Sequence, residues 1–283
     1  MSETAKLDRD EAVDIAESYY DSPDADNFYS LIWGGEDIHV GLYEPGLSIA
    51  EASHRTVLHM LGKLSGVTDL SHVLDIGSGY GGAARVIAKK TGAHVTCLNL
   101  SKVENARNET LTRAQGLQKK IAIQHGSFEQ IPVLNASYDF VWSQDAILHS
   151  ANRDRVLDEV LRVLKPGGSF IFTDPMQKDG LDDTSALQPI YDRLHLPNLA
   201  SIGYYRDGLV KRGMQEVEVE NLTHQLGTHY ARVAEELQAK RAMVAGKISD
   251  AYCERMLEGL NNWVKGEQKG LLSWAIMHFR KVA

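Results

Sequence analysis

Val73-Leu74-Asp75-Ile76 runs directly into Gly77-Ser78-Gly79-Tyr80-Gly81-Gly82, and no other stretch of the chain defines a chemistry so narrowly. An apolar run breaking into glycines predicts a strand that opens into a loop, where backbone N–H groups approach a ligand closely at the start of a helix. The ligand such a loop suits is a nucleotide-containing cofactor. Two registers are present: Gly77, Gly79 and Gly82 fit the dinucleotide fingerprint, whereas Gly77, Gly79 and Gly81 fit a G-x-G-x-G loop. A dinucleotide strand rarely carries a charge where Asp75 stands. The acid that would bind the ribose of NAD at the end of the next strand is here Asn99. An NAD-linked oxidoreductase is therefore the weaker reading.

These residues need a framework, and the alternation of patterns supplies one. Asp8 with Glu11, and Ser48 with Glu51, have capping-box spacing ahead of apolar helical faces, so residues 8–65 read as mostly helical around an aromatic, glycine-rich loop from Asn27 to Tyr43. Strands are expected at His72–Ile76, Ala93–Leu100, Lys120–Gln124, Tyr138–Ser143 and Ser169–Thr173. Helices fall between them at Gly81–Lys90, Ser101–Gln115 and Arg153–Leu164. That order requires right-handed crossovers and a parallel sheet with helices on both faces. Beyond Pro175 a helix near Tyr204–Arg212, a strand near Val217–Val219, helical stretches within 228–265 and a last strand within Leu271–Val282 follow.

Composition removes whole classes of function. The 283 residues are 43% hydrophobic and 24% charged, as in an ordinary globule, and the net charge of −8 repels a phosphate backbone. No nucleic-acid partner is expected. Neither a membrane-spanning run nor an apolar leader is visible, and Cys97 and Cys253 read as inert core thiols, which together suggest a cytoplasmic protein without a membrane partner. No metal site is expected, because the histidines lack ligand spacing; His54 and His59 do not share a helical face. The chain reads as a monomer or homodimer.

The glycine loop, the strand–helix order and Leu164-Lys165-Pro166-Gly167-Gly168 ahead of the fifth strand together resemble the class I S-adenosylmethionine (SAM)-dependent methyltransferases. The resemblance implies an α/β, Rossmann-like, seven-stranded and mostly parallel sheet whose last strand is antiparallel. It also implies one domain over 1–283, with a helical N-terminal cap about 1–65, a core about 66–175 and 214–283, and an acceptor lid about 176–213. SAM would be the cofactor. Asp75 would belong to its site, Gly77 and Gly79 would pack under the methionine moiety, and Asn99 with Leu100 would meet the ribose. Ser127 and Phe128 would flank the adenine, Tyr20 would reach the carboxylate, and Gln144 would sit where the fourth strand opens onto cofactor and substrate. Asn99 and Ser127 replace acids frequent at these places, and Asn can still hydrogen-bond ribose hydroxyls.

Ser143-Gln144-Asp145-Ala146 lacks the Pro-Pro-aromatic element of enzymes that methylate nucleic-acid amino groups. The segment Asn27-Phe28-Tyr29-Ser30-Leu31-Ile32-Trp33-Gly34-Gly35-Glu36-Asp37-Ile38-His39-Val40-Gly41-Leu42-Tyr43 strongly resembles sarcosine/dimethylglycine N-methyltransferases, which make glycine betaine. Phosphoethanolamine methyltransferases share a looser version, so a phosphobase is the alternative acceptor. For an amino-acid acceptor, aromatic faces at Tyr19, Tyr20, Tyr29 and Trp33 suit a cation, each contributing ~0.5–2 kcal/mol. Arg206 beside Tyr204 in the expected lid, or else Arg193, suits its carboxylate. Met176 either packs on N-methyl groups or fills the core. His149 is the candidate base for the proton that an incoming ammonium loses.

Overall fold

A computed structural model describes residues 22–282, so Tyr19, Tyr20 and the first expected helix lie outside the described residues. The glycine-loop strand, β1 (His72–Ile76), is followed by α3 (Gly82–Thr91), β2 (His94–Asn99), α4 (Lys102–Ala114), β3 (Ile121–His125) and β4 (Tyr138–Gln144). Then come α5 (Arg153–Val163), β5 (Leu164–Gln177), α6 (Gln188–Leu194), α7 (Ile202–Lys211) and β6 (Met214–Asn221). Helices α8 (Thr223–Ala239), α9 (Arg241–Val244) and α10 (Asp250–Gln268) precede β7 (Leu272–Lys281). Ahead of the sheet stand α1 (Pro23–Phe28), a π-turn at Tyr29–Trp33, and α2 (Ile49–Lys63), whose start carries the expected capping box between Ser48 and Glu51.

The seven strands lie in the order β3-β2-β1-β4-β5-β7-β6, with β7 antiparallel to both neighbours, as the resemblance implies. Both faces of β7 are covered, which is why Leu272–Phe279 is buried throughout and, His278 apart, apolar or small rather than alternating. Strand β5 exceeds its expected bounds at both ends. Leu164 pairs with Tyr138 across a register shift that absorbs the Lys165–Gly168 turn, and Pro175 to Gln177 find partners in Trp274 to Leu272.

Two apolar cores sandwich the sheet, one containing Leu74, Phe172 and Leu209 and the other Val73, Ala84 and Trp142. A third joins Phe28, Trp33 and Val40 to Tyr230, Val233, Leu260 and Trp263, and meets the sheet at Leu272 and Trp274. This third core divides the expected lid over 176–213. Residues between Leu181 and Leu199, α6 among them, enter it, whereas α7 lies on the sheet, because Tyr205 and Leu209 bury completely beside Phe172. The cover over the carboxyl ends of β4 and β5 joins this segment to residues 25–42 and the insertion α8–α10. Among the described residues, no helix is long and apolar enough to cross a membrane.

Candidate active site

Three glycines of the loop after β1 have left-handed backbones: Gly77 (φ +73°), Gly79 (φ +50°) and Gly81 (φ +72°). Their neighbours differ. A Cβ on Gly77 would overlap that of Ala146, and one on Gly81 would overlap the Asn108 amide, so both permit close approach of protein to protein. Gly77 thus meets the cavity on one side and Ala146 on the other. At Gly79 an added Cβ meets only the Ile38 side chain at 3.0–3.2 Å.

The loop borders a cavity that Asp75, Gly77, Gly79, Asn99, Leu100, Ser127, Phe128 and Gln144 all line, which brings together every expected cofactor residue among the described ones. Asn99 donates from Nδ2 to Glu104 Oε2 at 2.9 Å, and Glu104 also lines the cavity. The acid missing from the strand end is therefore supplied by the first turn of α4, where the Ser101 cap sets the chain direction. Gln144 accepts from Trp142 Nε1 at 2.9 Å. Burial, reinforced by Asp37, pushes the Asp75 carboxyl up to about 7, and its Oδ2 has no partner in the fold. Asp37, Asp75, Glu104 and Glu129 give this wall a negative character that suits a cationic nucleoside better than a pyrophosphate.

A second cavity adjoins the first, and Ile38, His39, Asp145 and His149 line both. Its walls are Tyr29 and Trp33 from the π-turn, Tyr230 from α8, and Met256, Leu260 and Trp263 from α10, with Arg193 of α6 among them. Tyr29 and Trp33 have ring centroids 5.4 Å apart, and Tyr230 stacks on Trp263 at 5.1 Å. Asp145 occupies the neck in a left-handed backbone (φ +51°), unusual for a residue with a side chain. It accepts from Val40 N at 2.7 Å and from Trp274 Nε1 at 2.8 Å, while burial raises its pKa. Burial, with help from Arg153 and Arg193, lowers the His149 pKa to about 4, so its ring is neutral near pH 7.

Three expected acceptor residues lie elsewhere. Tyr204 and Arg206 line neither cavity; Tyr204 is exposed, and Arg206 Nε donates to Glu216 Oε2 at 2.6 Å on the outer face of α7. The inward position between them is Tyr205, whose hydroxyl donates to buried Asp174 at 2.6 Å. Met176 is fully buried in the sheet core, which selects its space-filling reading. Tyr29, Trp33, His149 and Arg193 do reach the second cavity. Asp145, Glu104, Tyr230, Met256 and Trp263 were not singled out by the sequence; the one available signal was an Asp immediately after the strand that ends at Gln144.

Residues 74–172 match the methyltransferase domain family. The chain is 48% identical to the sarcosine/dimethylglycine N-methyltransferase of Halorhodospira halochloris, over 96% of this chain and 98% of that one. It is 51% identical to the glycine/sarcosine/dimethylglycine N-methyltransferase of Actinopolyspora halophila over 95% of its residues, but spans only 47% of that longer relative. Among solved structures, one from Galdieria sulphuraria, described as a sarcosine dimethylglycine methyltransferase, superposes with a TM-score of 0.88 at 42% identity, covering 93% of this chain and 99% of the other.

Proposed function

We propose that this chain, which belongs to the sarcosine/dimethylglycine N-methyltransferase family, transfers a methyl group from SAM to the amine of sarcosine and of dimethylglycine, the second transfer giving glycine betaine. The observation that carries the proposal is the junction of two unlike cavities at Ile38, His39, Asp145 and His149: an acidic one beside the glycine loop and an aromatic one holding an arginine. The donor supplies an electrophilic methyl on a sulfonium.

On the donor side, Asn99 and Glu104 are placed to bind ribose hydroxyls and Phe128 to cover the base, while Asp37 and Asp75 suit the donor's positive groups. On the acceptor side, Arg193 holds the carboxylate, the side chain's fork matching its two oxygens. Positive charge migrates toward the acceptor nitrogen during transfer, so the pocket needs alignment and tolerance of a cation more than acid–base power. Tyr29, Trp33, Tyr230 and Trp263 provide ring faces and Asp145 a carboxylate for that charge. His149, neutral and hard to protonate, serves as a wall and hydrogen-bonding group, and the amine enters already deprotonated.

Incubation with tritiated SAM and, separately, glycine, sarcosine, dimethylglycine and phosphoethanolamine tests the proposal. Label is expected to move to sarcosine and dimethylglycine. Transfer to phosphoethanolamine alone would reverse the acceptor assignment.

A further inference from the structure

Helix α10 carries a glycine in its interior at Gly259, on the same buried side as Met256, Leu260 and Trp263. Its backbone is not left-handed, so no conformational demand calls for glycine there, and a helix interior otherwise disfavours it. The space beside it is occupied by the Arg193 side chain. A Cβ on Gly259 would lie 2.7 Å from both Cδ and Cζ of Arg193 and closer still to Nη1. One turn earlier, Met256 Sδ lies 3.0 Å from Arg193 Nη2. The guanidinium thus crosses α10 in a notch made by a missing side chain, beside the cavity that it lines with Met256, Leu260 and Trp263.

We propose that Gly259 is a positioning residue for the acceptor: the volume it leaves empty fixes where the Arg193 guanidinium meets the carboxylate. The inference rests on the reading of Arg193 given above. A methyl group at 259 confronts the far end of a flexible side chain rather than backbone, so the fold accommodates it by displacing the guanidinium, and the cost falls on acceptor binding. Alanine, the better helix former, leaves thermal stability level or raises it. This pairing separates positioning from a structural role, in which stability and activity would decline together.

The test uses the full chain with Gly259→Ala, Arg193→Ala and the double variant, reading KM for dimethylglycine, KM for SAM and Tm. Gly259→Ala is expected to raise the dimethylglycine KM roughly 10- to 100-fold, the range for a lost charge-assisted hydrogen bond, with the SAM KM and Tm not worsened. The double variant should be no worse than Arg193→Ala, because both changes remove one interaction. Should Gly259→Ala fail to fold, recovery in the double variant, where the obstructing side chain is gone, supports the inference, and failure there overturns it. A wild-type KM in Gly259→Ala beside a raised KM in Arg193→Ala overturns the inference alone. An unchanged KM in Arg193→Ala overturns the carboxylate assignment and the inference with it.

Discussion

His149 and Arg206 show how burial reassigns a residue whose type suits a role. An imidazole near a reacting amine invites the role of base, yet burial and two nearby arginines lower its pKa to about 4. Between pH 6 and 9 it therefore has no titration to contribute. The acidic limb of kcat/KM is expected to follow the acceptor amine and to persist in His149→Gln; its disappearance in that variant would restore His149 as base. For Arg206, bound to Glu216 on an outer helix face, Arg206→Ala should leave both KM values unchanged in steady-state assays. Glu104 is the converse case. Asn99 was legible because it ends a strand after a glycine loop, but its partner comes from the next helix through a turn at Ser101 that sequence spacing registers only as a helix start. Glu104→Ala should weaken SAM binding by roughly tenfold or more in calorimetry, the scale of a charge-assisted hydrogen bond, with little change in dimethylglycine KM.

At the scale of elements, the sheet was legible because each buried strand is an apolar run between helices of clear periodicity, and β1 to β5 all fall where that pattern puts them. What covers the sheet was not. An amphipathic helix states that it has a buried face without stating against what, and both α7 and α8 satisfy the same pattern. In Tyr204-Tyr205-Arg206 the helical step of about 100° per residue sends the middle side chain inward and its neighbours out. Assigning the acceptor wall to α8 and α10 has a measurable consequence. Trp263→Ala removes a ring face and breaks the stack on Tyr230, so it should raise the dimethylglycine KM several-fold, given ~0.5–2 kcal/mol per ring, while the SAM KM holds. Equal increases in both constants would place Trp263 in the general packing of the third core instead.

For the molecule as a whole, buried titratable groups in and around the site set opposing pH dependences. His149 and His229 have pKa values lowered to about 4 and about 3, so the stability they confer is present above their unfolded value of 6.5 and is lost as pH falls below it. Asp75 and Asp174 are raised from 3.8 to about 7, so their contribution is complete below 3.8 and is lost as pH rises to 7. Asp75→Asn should accordingly raise the Tm of the ligand-free protein at pH 8 while weakening SAM binding, a combination that differential scanning calorimetry and titration calorimetry check together. Such a trade is expected where a carboxylate is kept dry to receive a cation. If a carboxylate held by Arg193 presents the amine to the donor cavity, an acceptor that lacks the carboxylate should lose its advantage. The measurement is the ratio of kcat/KM for dimethylglycine to that for N,N-dimethylethanolamine, which has the same dimethylamine but no carboxylate, in the wild type and in Arg193→Ala. The wild type should favour dimethylglycine by about 10- to 100-fold or more, with the preference collapsing toward unity in the variant. A variant that keeps the wild-type ratio would show that Arg193 does not hold the carboxylate.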